Sequence, residues 1–390
     1  MKDYWLYLYP ETFLFIDEEK LLLYHSRDYT YLEVDFDPFV NNLYINLTDI
    51  TNAYCAKISE EDLLVYSDFI AKVKAIGLGD LVQSPIQNRP VSYPPVCKIN
   101  TNLSVIQDDY MNRRAGYIID YLRNITIYLT SDGGGLTTFY KQTIYPIKGQ
   151  NRLAQCDLLH FMDYLKGRSV DINVVCDPKH LIEHELLFQS FKQRHRVSLY
   201  FLNSKLSNTR QNILIPDDAS VFVICNGNEK PVQRNSYSYI FLITNESEFT
   251  YAQEQASLME NAEIVPIYTG NNLDFFKDNV FTTKGELFSL HLTKRKVFAK
   301  QQLNTNFFGK LTILPSGNIY SNLHEKPLGT IKDSLYEMLY KELTDGYAWM
   351  LTRDKKEPCV NCRFKFLCPP ISNYEFAIGK FNLCHLRGSE

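Results

Sequence analysis

A chain of 390 residues is long enough for two or three domains with full cores. Its 45% hydrophobic and 22% charged content is that of a soluble globular protein, and the formal charge of −4 gives no support for nucleic-acid binding. No run approaches the ~18 apolar residues of a membrane span. The N-terminus, acidic at Asp3 and Glu11, does not read as a signal peptide, and nine cysteines in such a chain imply reduced thiols in a cytoplasm.

Residues 1–85 read as a small α+β domain of winged-helix type. Trp5–Tyr9, Thr12–Ile16, Leu21–Tyr24 and Tyr29–Val34 are short, rich in aromatic and branched residues, and separated by turn chemistry. They predict a β-meander. Ser59-Glu-Glu-Asp62 is an N-cap with an acidic first turn, and Leu63, Tyr66, Ile70 and Val73 continue one helical face until Gly77. Residues 86–123 form a linker with one helix, Asp108–Leu122. The proline-rich stretch 82–98 marks the connection.

From 124 to 283 the pattern is strand–helix alternation. Ile125–Leu129, Ile172–Cys176, Val197–Leu202, Val221–Cys225, Ile240–Thr244 and Ile264–Ile267 are mostly continuous apolar runs, as expected for parallel strands covered on both faces. Helices Leu153–Leu165 and Leu181–Gln193 fit between them. Six such units predict an α/β fold with an open, partial (β/α)6 barrel. Pro266 removes a ladder donor, so the last strand belongs at an edge. Cys176 and Cys225 read as core; Cys55, Cys97 and Cys156 are scattered singly.

Residues 284–390 break the alternation. Lys310–Tyr320 reads as a hairpin turning at Pro315-Ser-Gly-Asn318, and Ile331–Leu343 as an amphipathic helix. The basic cluster Lys294–Lys300 reads as a solvated helix face. Cys359, Cys362, Cys368 and Cys384 then follow in a CxxC-x5-C-x15-C spacing. The two-residue gap makes a ligand knuckle and the longer gaps let the chain return, so four thiolates can converge on zinc or an iron–sulfur cluster.

Pro315-Ser-Gly-Asn-Ile-Tyr320, Leu328-Gly-Thr-Ile331 and Cys359-x2-Cys362-x5-Cys368 together resemble the SPASM extension of radical S-adenosylmethionine peptide-modifying enzymes. Taken whole, the chain resembles the pseudo-radical SAM proteins of GG-Bacteroidales peptide-maturation systems. The resemblance implies that the N-terminal domain is a RiPP recognition element. A precursor leader would add as a strand beside Tyr29–Val34 (Tyr29, Tyr31, Glu33) and pack on Tyr66, Phe69 and Val73 of the third helix. It assigns the four cysteines to one auxiliary 4Fe-4S cluster, with zinc as the alternative.

Two motifs of that family are missing. The loop Ser131–Gln142 holds none of the CxxxCxxC cysteines, and Cys176-Asp-Pro-Lys-His180 stands where a Gly-Gly-Glu motif belongs. No S-adenosylmethionine cluster is therefore expected. The triple glycine 133–135 reads as a turn. Asn322 and Ser372 occupy two positions where the extension carries further cysteines, so its first auxiliary cluster is lost. The implied role is a non-catalytic, cytoplasmic partner that binds a leader peptide, a radical SAM maturase, or both. The alternatives are an enzyme using Asp177, Asn203 and Asn226 at the strand ends, and a zinc-stabilised interaction module.

Overall fold

The computed structural model describes residues 3–52, 54–84, 89–90, 108, 111, 116–132, 148–181, 195–207, 215, 219–232, 234, 236–346 and 348–386. Most of the expected linker between residues 85 and 107, six residues of the expected helix Asp108–Leu122, all but Leu181 of the expected helix Leu181–Gln193, and the triple glycine lie outside them. Among the described residues no helix is long and apolar enough to cross a membrane.

The N-terminal strands are β1 (Asp3–Leu8), β2 (Thr12–Ile16), β3 (Lys20–His25), β4 (Tyr31–Asp35), β5 (Cys55–Ile58) and β6 (Gly79–Ser84). They do not form one meander. β2, β3 and β4 pair antiparallel in sequence order, whereas β1 sits between β5 and β6 in a second sheet. Local turn signals join β1 to β2, but the partners of β1 arrive about fifty and seventy-five residues later, so β6 takes residues expected in the linker. Gly79 is needed at its start, because a Cβ there would stand 2.2 Å from the Tyr7 carbonyl oxygen.

The expected helix after Ser59 is divided. Ser59 caps Glu60–Val65 by accepting from the Asp62 N–H, the chain kinks at Tyr66, and Ser67–Ala75 continues. Gly77, at φ +72°, ends it in the left-handed region that other residues disfavour. Phe69, Ile70 and Val73 are buried among Leu6, Leu21, Leu23 and Val40.

The central sheet comprises β7 (Asn124–Tyr128), β10 (Asp171–Val175), β11 (Val197–Leu202), β12 (Ser220–Asn226), β13 (Tyr237–Ile243) and β14 (Ala262–Pro266), all parallel. A short antiparallel pair, β8 (Thr130–Asp132) and β9 (Lys148–Arg152), stands apart. Ile125, Ile172, Leu199, Val223 and Phe241 face the helices of the main core, while Tyr128, Val175, Tyr200, Ile224 and Ile240 form a second cluster on the opposite face. That double burial explains the continuous apolar runs, and β14 with Pro266 is at the edge as expected.

The hairpin β15 (Lys310–Ile313) and β16 (Asn318–Tyr320) does not stand alone. β15 pairs parallel to β7, and β17 (Gly329–Thr330) completes a nine-stranded, mostly parallel sheet. Gly317 turns the hairpin at φ +85°. The carbonyl of Gly309 accepts from the N–H groups of Arg123 and Asn124, which brings β15 alongside β7.

Candidate metal centre and its contact with the N-terminal sheet

Cys359 begins a 3-10 turn and its carbonyl accepts from the Cys362 N–H at 3.0 Å, as a two-residue knuckle requires. A turn over Phe364–Cys368 returns the third cysteine, whose N–H donates to the Phe364 carbonyl. Cys384 is brought back by an isolated parallel bridge to Thr282. All four side chains line one cavity of about 20 Å³, together with Arg353, Lys365 and Leu383. None is in a disulfide, and Cys359, Cys362 and Cys368 are buried. Among the described residues, no group of three or more His, Cys, Asp or Glu side chains is closed into a metal site. The four thiols surround a common space without meeting at a point.

The donor chemistry fits a thiophilic metal or cluster. Burial pushes the Cys359 and Cys368 thiols up, so the thiolate form needs nearby positive charge. Arg353 supplies some of it: Nη1 lies 3.7 Å from Cys359 Sγ and donates to the Phe381 carbonyl at 2.8 Å. Its Nη2 pairs with Glu375 at 2.7 Å, with both side chains nearly buried. Burial works against the guanidinium, but Glu375 and the thiols outweigh it and hold its pKa above the usual value. Glu375 also closes the capping box of helix Asn373–Ile378, so one carboxylate fixes both the helix start and the cation.

Lys300 corrects a sequence expectation. Helix Lys294–Gln302 is not a wholly solvated basic face, because Lys300 Nζ donates to the carbonyls of Leu367 and Cys368 at 2.9 Å. Burial lowers its pKa to about 8. Lys294 likewise reaches the Pro10 carbonyl, at 2.8 Å. A long apolar stem lets a lysine cross a surface and spend its charge on carbonyls, which charge patterning alone does not reveal.

The cysteine segment is pressed against the β2–β4 sheet. Phe13, Phe15, Leu22 and Tyr24 alternate with the residues facing the N-terminal core, and pack on Leu292, Val297, Cys362, Phe364, Phe366 and Cys368. The Tyr24 hydroxyl donates to the Leu292 carbonyl at 3.0 Å and accepts its N–H at 2.8 Å. Arg363, next to Cys362, donates to Asp17 Oδ2 at 2.7 Å and Glu33 Oε1 at 2.9 Å. Burial would raise both carboxyls, but hydrogen bonds from the Lys20 N–H and Arg363 to Asp17, and from Lys284 and Arg363 to Glu33, hold them below their usual values.

The six residues expected to meet a peptide are therefore not one open surface. Tyr29 is outside the strand, at φ +61°, and stacks on His291 at 4.7 Å. Tyr31 stacks on Phe288 at 3.5 Å, and Glu33 is paired with Lys284 and Arg363. Tyr66 stacks on Phe39 and donates to Asp37, while Phe69 and Val73 are core. Among the described residues β4 pairs with a strand on one side only, β3.

Two of the three strand-end residues of the rival reading, Asn203 and Asp177, use their side chains structurally. Asn203 donates to the Lys230 carbonyl and accepts from the Val232 N–H, fixing that loop. Asp177 caps the turn Pro178–His180 and faces Lys179 and Lys205. At Asn226 the main-chain N–H donates to Glu229.

No protein-family model and no curated protein matches the chain. Among solved structures it is similar to Streptococcus suis SuiB bound to precursor peptide SuiA, at 9% identity and TM-score 0.47, covering 98% of this chain and 100% of that one. It is also similar to SuiB bound to S-adenosylmethionine, at 10% identity and TM-score 0.35, covering 98% and 99%.

Proposed function

We propose that the protein is a non-catalytic partner in ribosomal peptide maturation. It binds the leader of a precursor peptide, a radical SAM maturase or both, and one cluster held by Cys359, Cys362, Cys368 and Cys384 braces its binding sheet. The observation that carries this reading is the placement of Arg363. It follows a cysteine of the SPASM-like motif and grips Asp17 in the β2–β3 turn and Glu33 on β4, so the site and the sheet share one side chain. The leader would add along the edge of β4 that pairs with no described strand, where affinity comes from backbone hydrogen bonds. The side chains of Tyr31 and Glu33 would hold that strand from behind.

A bound 4Fe-4S cluster would supply a fixed cross-link and an electron-transfer centre. The second reading is a single zinc, favoured by a cavity little larger than the space of one water. The absence of the CxxxCxxC pattern from 131–142, and the structural use of Asp177 and Asn203, support a partner over an enzyme.

Anaerobic purification with iron, sulfide and zinc analysis tests the centre. About four iron and four sulfide per chain are expected for the cubane, and one zinc per chain would support the second reading. Pull-down with the precursor encoded nearby tests the partner. Failure to retain a leader that binds its own maturase, together with failure to retain that maturase, overturns the proposal.

A further inference from the structure

A second cavity, of about 300 Å³, lies along β7, β10 and β15 and shares no lining residue with the four-cysteine space. Lys310 is the one cation among its lining residues, and no carboxylate lines it. Asn124 opens β7 and Lys310 opens β15, so the cavity is at the amino ends of these strands. Asp177, Asn203 and Asn226 belong to the carboxyl ends of theirs.

Strand alternation sets which side chains face it. Ile125 and Ile127 on β7, and Leu311 and Ile313 on β15, belong to the main core, which turns Asn124, Thr126, Lys310 and Thr312 to the opposite face. Lys310 is the register partner of Asn124, and Thr312 that of Thr126, so each pair stands about 4.8 Å apart at the main chain. Asn173 on β10 donates from Nδ2 to Asn124 Oδ1 at 3.2 Å and Thr126 Oγ1 at 3.3 Å. That bond fixes the Asn124 amide with its oxygen toward β10 and leaves its N–H groups for the cavity. Asn124 Nδ2 and Thr312 Oγ1 have no partner among the described residues, and neither atom is buried.

Lys310 remains accessible as a residue, yet the surrounding protein takes enough water from its ammonium to lower its pKa below the usual lysine value. No charge offsets that loss. Among the described residues its side chain has neither an ion pair nor a hydrogen bond. The carboxylate behind the wall, Glu342, is turned to the Ser321 hydroxyl at 2.9 Å and to the Ala348 and Trp349 N–H groups. The face thus presents one uncompensated positive charge flanked by neutral donors, in a volume at the lower end for small-ligand sites.

We propose that this cavity binds the carboxylate of a small organic acid, with Lys310 and Asn124 as its donors and the Thr312 hydroxyl as a third. One fixed cation balances a single negative charge, which favours a monocarboxylate over phosphate. The site shares no residue with the metal centre or with β4, so it stands apart from the proposed role in peptide maturation.

Saturation-transfer NMR on the full chain at low salt, with benzoate and its uncharged isostere benzamide, tests it. Benzoate is expected to bind saturably with a Kd on the order of 1 mM, and benzamide about 10-fold more weakly. Lys310→Met keeps the stem and removes the charge; it should weaken benzoate about 10- to 100-fold, the loss of a charged hydrogen bond, and leave benzamide unchanged, with the fold checked by circular dichroism. If Lys310→Met does not fold, Thr312→Val carries the test, with an expected loss of about 3- to 10-fold. Inorganic phosphate at equal concentration should not displace benzoate. Absence of saturable binding, equal binding of benzamide, undiminished benzoate binding by the variants, or displacement by phosphate overturns the proposal.

Discussion

Arg353 and Arg363 bracket the first two cysteines, and both are buried cations facing carboxylates. Their partners differ. Those of Arg353, including Glu375, the Pro369 and Phe381 carbonyls and Cys359 Sγ, lie within 28 residues of it in the chain. Those of Arg363 lie 330 and 346 residues away, in the N-terminal sheet. One arginine therefore neutralises the thiol site from inside, and the other converts the position of that site into the position of a distant sheet. A buried pair is weak evidence of net stability, but removing one partner strands the other charge. The two positions should fail in different ways.

Arg353→Met gives the largest expected effect. It leaves Glu375, whose side chain is 3% exposed, without its cation, and should cost about 3–5 kcal/mol in urea unfolding. Metal content, measured on the same preparation, should fall. Arg363→Met should cost about 3 kcal/mol, because Lys284 still serves Glu33. Metal content should hold while the N-terminal sheet becomes protease-sensitive. Equal loss of metal from both variants would remove the distinction between them.

Acid sharpens the same contrast. Asp17 and Glu33 have folded pKa values below their unfolded ones, so their contribution is present above the unfolded values and is lost as pH falls below them and through the lowered folded ones. Proteolysis of the N-terminal sheet should rise over that window and change far less in Arg363→Met. Tyr31→Ala removes one stacked pair and should cost about 0.5–1.5 kcal/mol beyond lost area. Glu19→Gln is the smallest change. Its side chain is 78% exposed and 3.7 Å from Arg363, and an exposed pair contributes about 0–1 kcal/mol.

The strands of the central sheet were legible because burial on both faces writes itself as unbroken apolar runs, such as Val221–Cys225 and Ile240–Ile243. The same signal stands in Phe13-Leu-Phe and Leu21-Leu-Leu-Tyr24, where it marks a sheet covered by the cysteine segment on its second face. The cysteine spacing was legible for a covalent reason, since short gaps bind ligands to one place. The long-range pairings were not. Nothing local in Trp5–Leu8 tells that its neighbours are Cys55–Ile58 and Gly79–Ser84. Arg363 carried no signal because its carboxylates are hundreds of residues distant, and Asn322 drew notice only as a missing cysteine.

Long parallel sheets are exposed to growth at their ends, since an unpaired row of N–H and C=O groups can template another chain. Here one end is β14, with Glu263 exposed and Pro266 lacking a donor, and the other is β17, two residues long. Neither end can recruit a strand readily. Concentrated solutions of this protein should accordingly resist fibril formation through its largest sheet, and Pro266→Val at that edge is where such resistance would first be lost.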